Sequence, residues 1–404
     1  MDNVTHSLAA VLLAEAMCDA RAPSPEASRF RTAALWTSLL ANNFPDFDFV
    51  YRGITPGKLG YLLHHRGHTH TVIGALVLSG VSLLVVYAVA RMRAVRFDAR
   101  DWRALGLLAV VGTLLHITFD LQNNYGVHPF WPFDDRWYYG DFLFIVEPLL
   151  LAVAIPTIAL LAETRVAKLA VTALFAAALV FGAVARAVPP AEIVGLVFVA
   201  VLVALAARAL SRRGRIRLGI GGWAVVTLAF FVASHSVDRL VRTASAARFP
   251  ATKLVDVVRT PTPGNILCWS IITLGVEGDR YVARRGLVSL APGVFTPARC
   301  GSHDSRTATA PLAGLEVGDE HVLFRSEFSG KLAELRALRA SNCGVAAFLR
   351  WSRAPFWLSG EPVIGDLRFD RSRAMEFAEM TTNSAACPPN LPPWTAPRTD
   401  VLGP

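Results

Sequence analysis

From residue 71 to residue 90 the chain carries no charged side chain, and this run is entered through His64-His65-Arg66-Gly67-His68-Thr69-His70, four imidazoles in seven residues. Twenty or so apolar residues cross the roughly 30 Å hydrocarbon layer as one α-helix, the conformation that satisfies every backbone polar group within the segment. Seven further apolar runs, at about 4–18, 32–43, 104–119, 142–161, 169–185, 193–207 and 218–234, repeat the pattern. The first, second and fourth are short for an upright span, so they are expected to be shallow or covered by neighbours. With 53% hydrophobic and 18% charged residues, the chain reads as a membrane protein with a water-exposed portion. The opening residues lack a basic stretch and a small-residue cleavage site, so the first run is expected to be retained.

The net charge of +9 is mostly arginine, and in the first half it falls in short connections between apolar runs. That placement speaks of topology, and no basic stripe interleaved with aromatics points to nucleic acid. Arg21, Arg29 and Arg31 lie in the first connection, Arg91, Arg93, Arg96, Arg100 and Arg103 in the third, Arg165 and Lys168 in the fifth, and Arg208, Arg212, Arg213, Arg215 and Arg217 in the seventh. The alternate connections hold only Arg52, Lys58, Arg66, Arg136 and Arg186, a bias of fifteen to five that assigns the odd connections to the cytoplasm. Eight crossings then put both termini outside.

A consequence follows for the polar residues, which the charge count did not use. His6 begins the first run, Asp46 and Asp48 follow the second, the histidine cluster precedes the third, His116 and Asp120 end the fourth, and Asp141 begins the fifth. All of them reach the external face, which argues for one site. His116 and Asp120 are four apart, so on a helix they share a face and can share a metal. A simple His–carboxylate hydrogen bond between helices fits the same spacing. Asp46 and Asp48 flank Phe47 on one side of an extended segment or form an exposed acidic turn, and His6 is a ligand or an interfacial residue. Asp2 is a candidate helix cap. A mixed His and Asp set suits zinc, with manganese or iron at carboxylate-rich positions, and the surplus of donors implies at least two ions. Ionisable groups at membrane depth are costly, and a metal compensates them.

Metal-bound water of lowered pKa beside a polarised phosphoryl or acyl oxygen needs no separate nucleophile. Neither a Gly-Xaa-Ser-Xaa-Gly elbow nor a phosphate-cradling Gly-Xaa4-Gly-Lys loop occurs, which disfavours a serine hydrolase and a nucleotide-driven pump. Asp46 and Arg66 are the candidates for catalytic roles, Arg66 by holding a phosphate or carboxylate, unless it faces solvent or lipid headgroups. The aromatics from His128 to Tyr139 form an interfacial belt or line the entrance for a lipid-like substrate. His64, His68, Asp141 and Glu147 are weaker metal candidates, Glu147 lying about 9 Å beyond Asp141 on another helix face.

After residue 235 the character changes. Alternating or β-branched stretches at 266–275, 281–290 and 321–328, separated by Gly and Pro, predict a β-rich soluble domain over 236–386, with one short helix at 332–339. Residues 387–404 are a Pro-rich tail, expected to be disordered from 388. Cys18 falls in the first run. Cys268, Cys300, Cys343 and Cys387 belong to the soluble domain, either as two disulfides with three connectivities open or as buried thiols.

Several of these stretches resemble one family. Asp2-Asn-Val-Thr-His6, Asn43-Phe-Pro-Asp-Phe-Asp48, His65-Arg-Gly-His-Thr-His70 and His116-Xaa3-Asp120, then Tyr125-Gly126 and Trp131-Pro132-Phe133, are similar in order and spacing to the YdjM/YfhP-like (LexA-regulated) membrane-bound metal-dependent hydrolases over about residues 1–150. Pro261-Thr-Pro-Gly-Asn-Ile-Leu-Cys-Trp269 and Gly365-Asp-Leu-Arg-Phe369 resemble the external domain of longer members. More distantly, the pattern resembles the zinc-dependent phospholipase C and nuclease superfamily, with a three-zinc cluster in a helical bundle. That resemblance implies His6, Asp46 or Asp48, His65, His70, His116 and Asp120 as ligands. His68 falls between matched positions, and Asp141 or Glu147 would have to stand for the superfamily's later His and Glu pair.

The expectation is a polytopic α-helical membrane protein of about eight apolar helices, the first five (1–150) forming a metal-site bundle, with further transmembrane helices over 151–235 and the external β-rich domain. It would sit in a bacterial inner membrane, hold two or three divalent ions, zinc or else manganese, and hydrolyse a phosphoester of a lipid or lipid-linked molecule on the periplasmic side. A metal carrier or sensor without chemistry, and a membrane anchor for a partner-binding external domain, are the competing functions.

Overall fold

The computed structural model describes residues 1–19, 24–300, 312–358, 360–369, 378–383 and 387–403. Its first part is helical: α1 (Asn3–Cys18), α2 (Pro25–Asn43), α3 (Lys58–His64), α4 (Val72–Met92), α5 (Ala99–Leu121), α6 (Pro148–Leu161), α7 (Arg165–Val184), α8 (Pro190–Ala209) and α9 (Arg212–Arg248). Among the described residues five of these, α4, α5, α7, α8 and α9, are long and apolar enough to cross a membrane, while α1 and α6 are apolar but shorter. Helix therefore lies over every apolar run, but five rather than eight meet the length and composition of a span. The run at 142–161 becomes helical only at Pro148, because the residue before a proline is pushed out of the helical region. Glu147 there adopts an extended conformation and caps α6, accepting from Leu149 N at 3.1 Å.

Two compact units share the chain. One comprises Met1–Asp48, His68–Trp131 and Phe144–Ala229, the other Phe49–Gly67, Pro132–Leu143 and Phe230–Pro404. The sequence segments 1–150, 151–235, 236–386 and 387–404 cut the chain elsewhere, because two connections between helices join the β-rich part.

In the first unit α1 packs on α2, α5 and α6, and α2 packs on α4 and α5. The buried residues of α4, Ala75, Ser79, Ser82, Val86 and Ala90, recur at helical spacing as a seam of mostly small side chains, the kind of face that lets helices approach without a hydrophobic drive. Its other faces expose Leu76, Val77, Leu84 and Met92, and α7 exposes Val166, Leu169, Phe181 and Val184. So much apolar surface on one unit fits hydrocarbon rather than water. Gly112 of α5 sits where a Cβ would come within 2.7 Å of Asn42 Nδ2 and 2.9 Å of Ala41 Cβ, so its missing side chain sets how closely α5 meets the end of α2. At the other end of α2, buried Glu15 pairs with Arg31 and Arg212, Arg31 also reaches Glu163, and Arg213 meets Asp19.

The second unit is built on an antiparallel five-stranded sheet of β1 (Lys253–Thr262), β2 (Asn265–Glu277), β3 (Arg280–Ser289), β4 (Ala313–Gly318) and β5 (Val322–Lys331), in the order β1-β2-β3-β5-β4. Gly264 (φ 76°) and Gly278 (φ 59°) take the left-handed turns between successive strands. After β5 come α10 (Leu332–Ser341), α11 (Cys343–Leu349), and a small sheet of β6 (Pro355–Trp357), β7 (Val363–Asp366) and β8 (Glu379–Thr381). Gly330 lets Trp357 lie against β5, where it stacks near Tyr281 and Phe328 as the aromatic core. Two disulfides form, Cys268–Cys300 and Cys343–Cys387, choosing one of the three open connectivities.

The tail, expected to be disordered, is instead docked. Trp394 is buried and donates through Nε1 to Leu63 O at 2.7 Å, Asn390 donates to Ile54 O at 3.1 Å, and α12 (Thr399–Leu402) packs on α10, with Arg336 donating to Val401 O. Proline-rich composition removes backbone donors but leaves one large aromatic anchor, and the anchor decides the outcome.

Candidate metal centre

α1, the start of α4, α5 and the short 3-10 helix Phe44–Val50 bring their polar residues together in the first unit. Pro45 opens the 3-10 turn directly after α2, and its tight coil sends Asp46 and Asp48 to neighbouring positions instead of along an extended strand. A second such turn, His68–His70, ends where Thr71 caps α4 by accepting from Gly74 N at 2.8 Å. His116 and Asp120 face the same side of α5, one turn apart. At α1, Asp2 is the N-cap, accepting from Val4 N and Thr5 N, which fixes the turn carrying His6.

Asp46, His70, His116 and Asp120 each offer a ligand atom, all within 4.8 Å of one another. His70 Nε2 stands 2.9 Å from Asp120 Oδ2, 3.1 Å from His116 Nε2 and 3.4 Å from Asp46 Oδ1. His116 Nε2 is 3.4 Å from Asp120 Oδ2 and 3.5 Å from Asp46 Oδ1. Donors on a tetrahedron with metal bonds of roughly 2.0–2.1 Å stand about 3.3–3.4 Å apart, so the two nitrogens and two oxygens fit one divalent ion in spacing and chemistry.

Each imidazole is oriented through its other nitrogen. His116 Nδ1 lies 2.7 Å from the Asn42 carbonyl, a bond that puts the proton on Nδ1 and leaves Nε2 free to donate its lone pair. His70 Nδ1 lies 3.5 Å from Asp48 Oδ2 and 3.0 Å from the Thr69 hydroxyl, which itself donates to Asp48 at 3.2 Å. Burial lowers the pKa of His70 to about 4, so the imidazole is neutral at pH 7, the form a metal requires. Burial raises the Asp46 carboxyl, but the influence of the adjacent His116 and His70 outweighs it and holds Asp46 below the usual carboxylate range. His6 stacks on His116 with ring centroids 3.8 Å apart, its Nε2 3.4 Å from Asp120 Oδ1, and the Met1 amino group also pairs with that carboxylate.

Not every candidate joins this group. His68 is half-buried against Trp131, its pKa lowered by burial, and Glu147 is committed to capping α6. His64, His65, Arg66 and Asp141 belong to the second unit. There His64 Nε2 is 2.8 Å from the Thr55 hydroxyl, His65 stacks on Tyr61, and Arg66 is buried with a left-handed φ of 60°. Asp141 is clasped by Arg353, whose Nη1 and Nη2 donate to its two oxygens at 2.8 Å each, while the same guanidinium donates from Nε to Asp256 at 2.8 Å and lies over Tyr139. A bidentate buried pair of this kind occupies the carboxylate that was a metal candidate. Three participants escaped sequence reasoning: the Asn42 carbonyl, the Thr69 hydroxyl and Gly112. A backbone oxygen leaves no residue-type signal, although Thr69, set between two histidines, was in view.

Residues 1–188 match the YdjM inner membrane protein family. A 105-residue stretch is 26% identical to YfhP of Bacillus subtilis (strain 168), covering 26% of this chain and 29% of the length of that relative. No solved structure matches the chain.

Proposed function

From the premise that residues 1–188 are those of a YdjM-family inner membrane protein, we propose that the chain is a membrane-bound metal-dependent hydrolase that cleaves a phosphoester of a lipid or lipid-linked molecule at the Asp46, His70, His116 and Asp120 cluster. The observation that carries this reading is the mutual spacing of four donors, three of them fully buried. A divalent ion, zinc or manganese, supplies there a Lewis acid for a phosphoryl oxygen and a bound water acidic enough to ionise near neutral pH. His116 and His70 are positioned for it by Asn42, Asp48 and Thr69. Asp46, with 11% of its side chain exposed against none for the other three, is the member that can face an incoming substrate and orient the attacking water by accepting a hydrogen bond from it.

Two features support an external, oxidising location for the β-rich unit. It holds two disulfides. The charge bias of the connections, which assigns the even-numbered ones to the outside, is the second.

The number of donors favours a second reading. Four protein ligands close a tetrahedral site, as in structural centres, whereas catalytic sites keep a position open. In that case the protein holds a metal without turnover. Elemental analysis of detergent-purified protein, beside a His116→Ala, Asp120→Ala variant, comes first, followed by metal-dependent release from a chromogenic phosphodiester and from phospholipid vesicles. Metal lost in the variant, together with turnover, supports hydrolysis. Metal without turnover supports the closed site, and a folded parent without metal overturns both.

A further inference from the structure

At the end of the first unit away from the cluster, α2, α4 and the loop after α4 enclose an open groove of about 580 Å³. That size lies within the roughly 300–1,000 Å³ of ligand pockets. Nearly all its lining is apolar, with Trp36, Leu40, Val85, Val86, Val89 and Phe97 prominent, and Arg29 and Arg93 are its two charged members. Trp36 is 58% exposed although it lines the groove, so the wall it forms is open along its length.

The positions along the helices locate this groove. The metal cluster takes its contacts from Asn42 at the C-terminal end of α2 and from His70 just before α4. Arg29 lies thirteen residues before Asn42 and Arg93 lies just past the last turn of α4, which at 1.5 Å per residue places them about 20 Å and about 30 Å along their helices from the cluster. The charged end of the groove therefore lies toward the opposite membrane face.

Arg31, Arg212 and Arg213 are neutralised by Glu15, Glu163 and Asp19. Arg29 and Arg93 are both exposed at the groove, and Glu26, one turn before Arg29, offsets part of its charge. An apolar channel open to hydrocarbon, ending at two exposed guanidiniums, matches an amphiphile with acyl chains and an anionic head. Basic pockets between transmembrane helices bind such headgroups, and Arg pairs with phosphate by a fork of donors.

We propose that this groove is a binding site for an anionic phospholipid of the surrounding bilayer, its chains along Trp36, Val85 and Val89 and its phosphate between Arg29 and Arg93. This site is separate from the metal centre and does not depend on it.

Native mass spectrometry of the full-length, detergent-purified protein titrated with phosphatidylglycerol or phosphatidylcholine tests the assignment. The parent should prefer phosphatidylglycerol, and each arginine should contribute about fivefold to the preference. An Arg29→Gln, Arg93→Gln variant should bind both lipids alike, while Arg96→Gln, Arg100→Gln, whose arginines lie off the groove, should keep the preference. Ala33→Trp, which fills the groove, should weaken both lipids together. Equal binding of the two lipids by the parent, or an equal loss in the two arginine variants, would overturn the proposal in favour of general surface charge. Circular dichroism and melting of each variant in lipid-free detergent confirm the fold, and Arg29 and Arg93, being exposed, should leave both nearly unchanged when replaced.

Discussion

Asp48 and Asp46 differ by two positions and by what they touch. Asp48 reaches the outer nitrogen of His70, whereas Asp46 reaches the inner one. Asp48→Asn should therefore retain the full complement of metal at saturation while weakening affinity about 10–100-fold, the usual cost of losing an orienting partner, as read by competition with a chelator. Loss of stoichiometry instead would make Asp48 a ligand. Arg353 carries a different burden. Arg353→Met strands Asp141 without its clasp, and breaking a buried pair from one side costs about 3–5 kcal/mol, measurable by chemical denaturation of the second unit. The same region sets a pH response. Burial raises Asp256 and Asp366, but Arg353 on the first and Arg368 on the second outweigh it, so both carboxyls titrate below their ordinary value. Groups depressed in this way contribute stability that is complete above the unfolded pKa, about 3.9, and is lost as pH falls below it. The contribution from these residues should be flat from pH 7 to 5 and decline below about pH 4, with a shallower decline in Arg353→Met, as followed by tryptophan fluorescence. His116 and Asp120 were legible in the sequence because helical spacing links them, and so was the convergence of donors from different runs. Asp141 was misread because its partner lies 212 residues away, beyond any local pattern.

At the scale of elements, Gly112 is one turn before His116 on the same face of α5 and touches Asn42, whose carbonyl holds that histidine. Gly112→Ala adds a methyl where 2.7 Å is available, so α5 must shift away from α2. Overpacking of this kind costs about 1–3 kcal/mol, and metal content should fall although no ligand is altered. Elemental analysis checks it, and an unchanged metal content would mean that the helices yield elsewhere. Helices were readable from apolar periodicity, and strands at 266–275, 281–290 and 321–328 from alternation. Their limits were less so. Pro148 delays α6, and α9 runs on past residue 234 because Val237, Val241 and Ala244 give it a narrow buried face while exposed pairs such as Arg242 with Asp238, four residues apart, support the other. The tail was misjudged because composition weighs every proline and one tryptophan alike, whereas packing does not.

Taken as a whole molecule, the second unit closes two long loops covalently. The Cys343–Cys387 bridge spans 44 residues and fastens the start of the docked tail beside α11. Cys343→Ser, Cys387→Ser should lower the stability of this unit by about 2–4 kcal/mol, seen as a lower denaturation midpoint that reductant reproduces in the parent. The alternation of charge between connections was visible in the sequence, but which connections would join the β-rich part was not, since surface loops carry no mark of their partner. Phe49–Gly67 and Pro132–Leu143 emerge from the ribosome long before the strands they serve. Leu63 waits for Trp394, and Asp141 waits for Arg353. Synthesis of this unit therefore cannot finish domain by domain. Its early pieces must be held at the membrane surface until the last residues arrive, so a C-terminal fragment expressed alone lacks the partners of Arg353 and Trp394, and any failure to insert the later helices leaves those early pieces open to quality-control proteases.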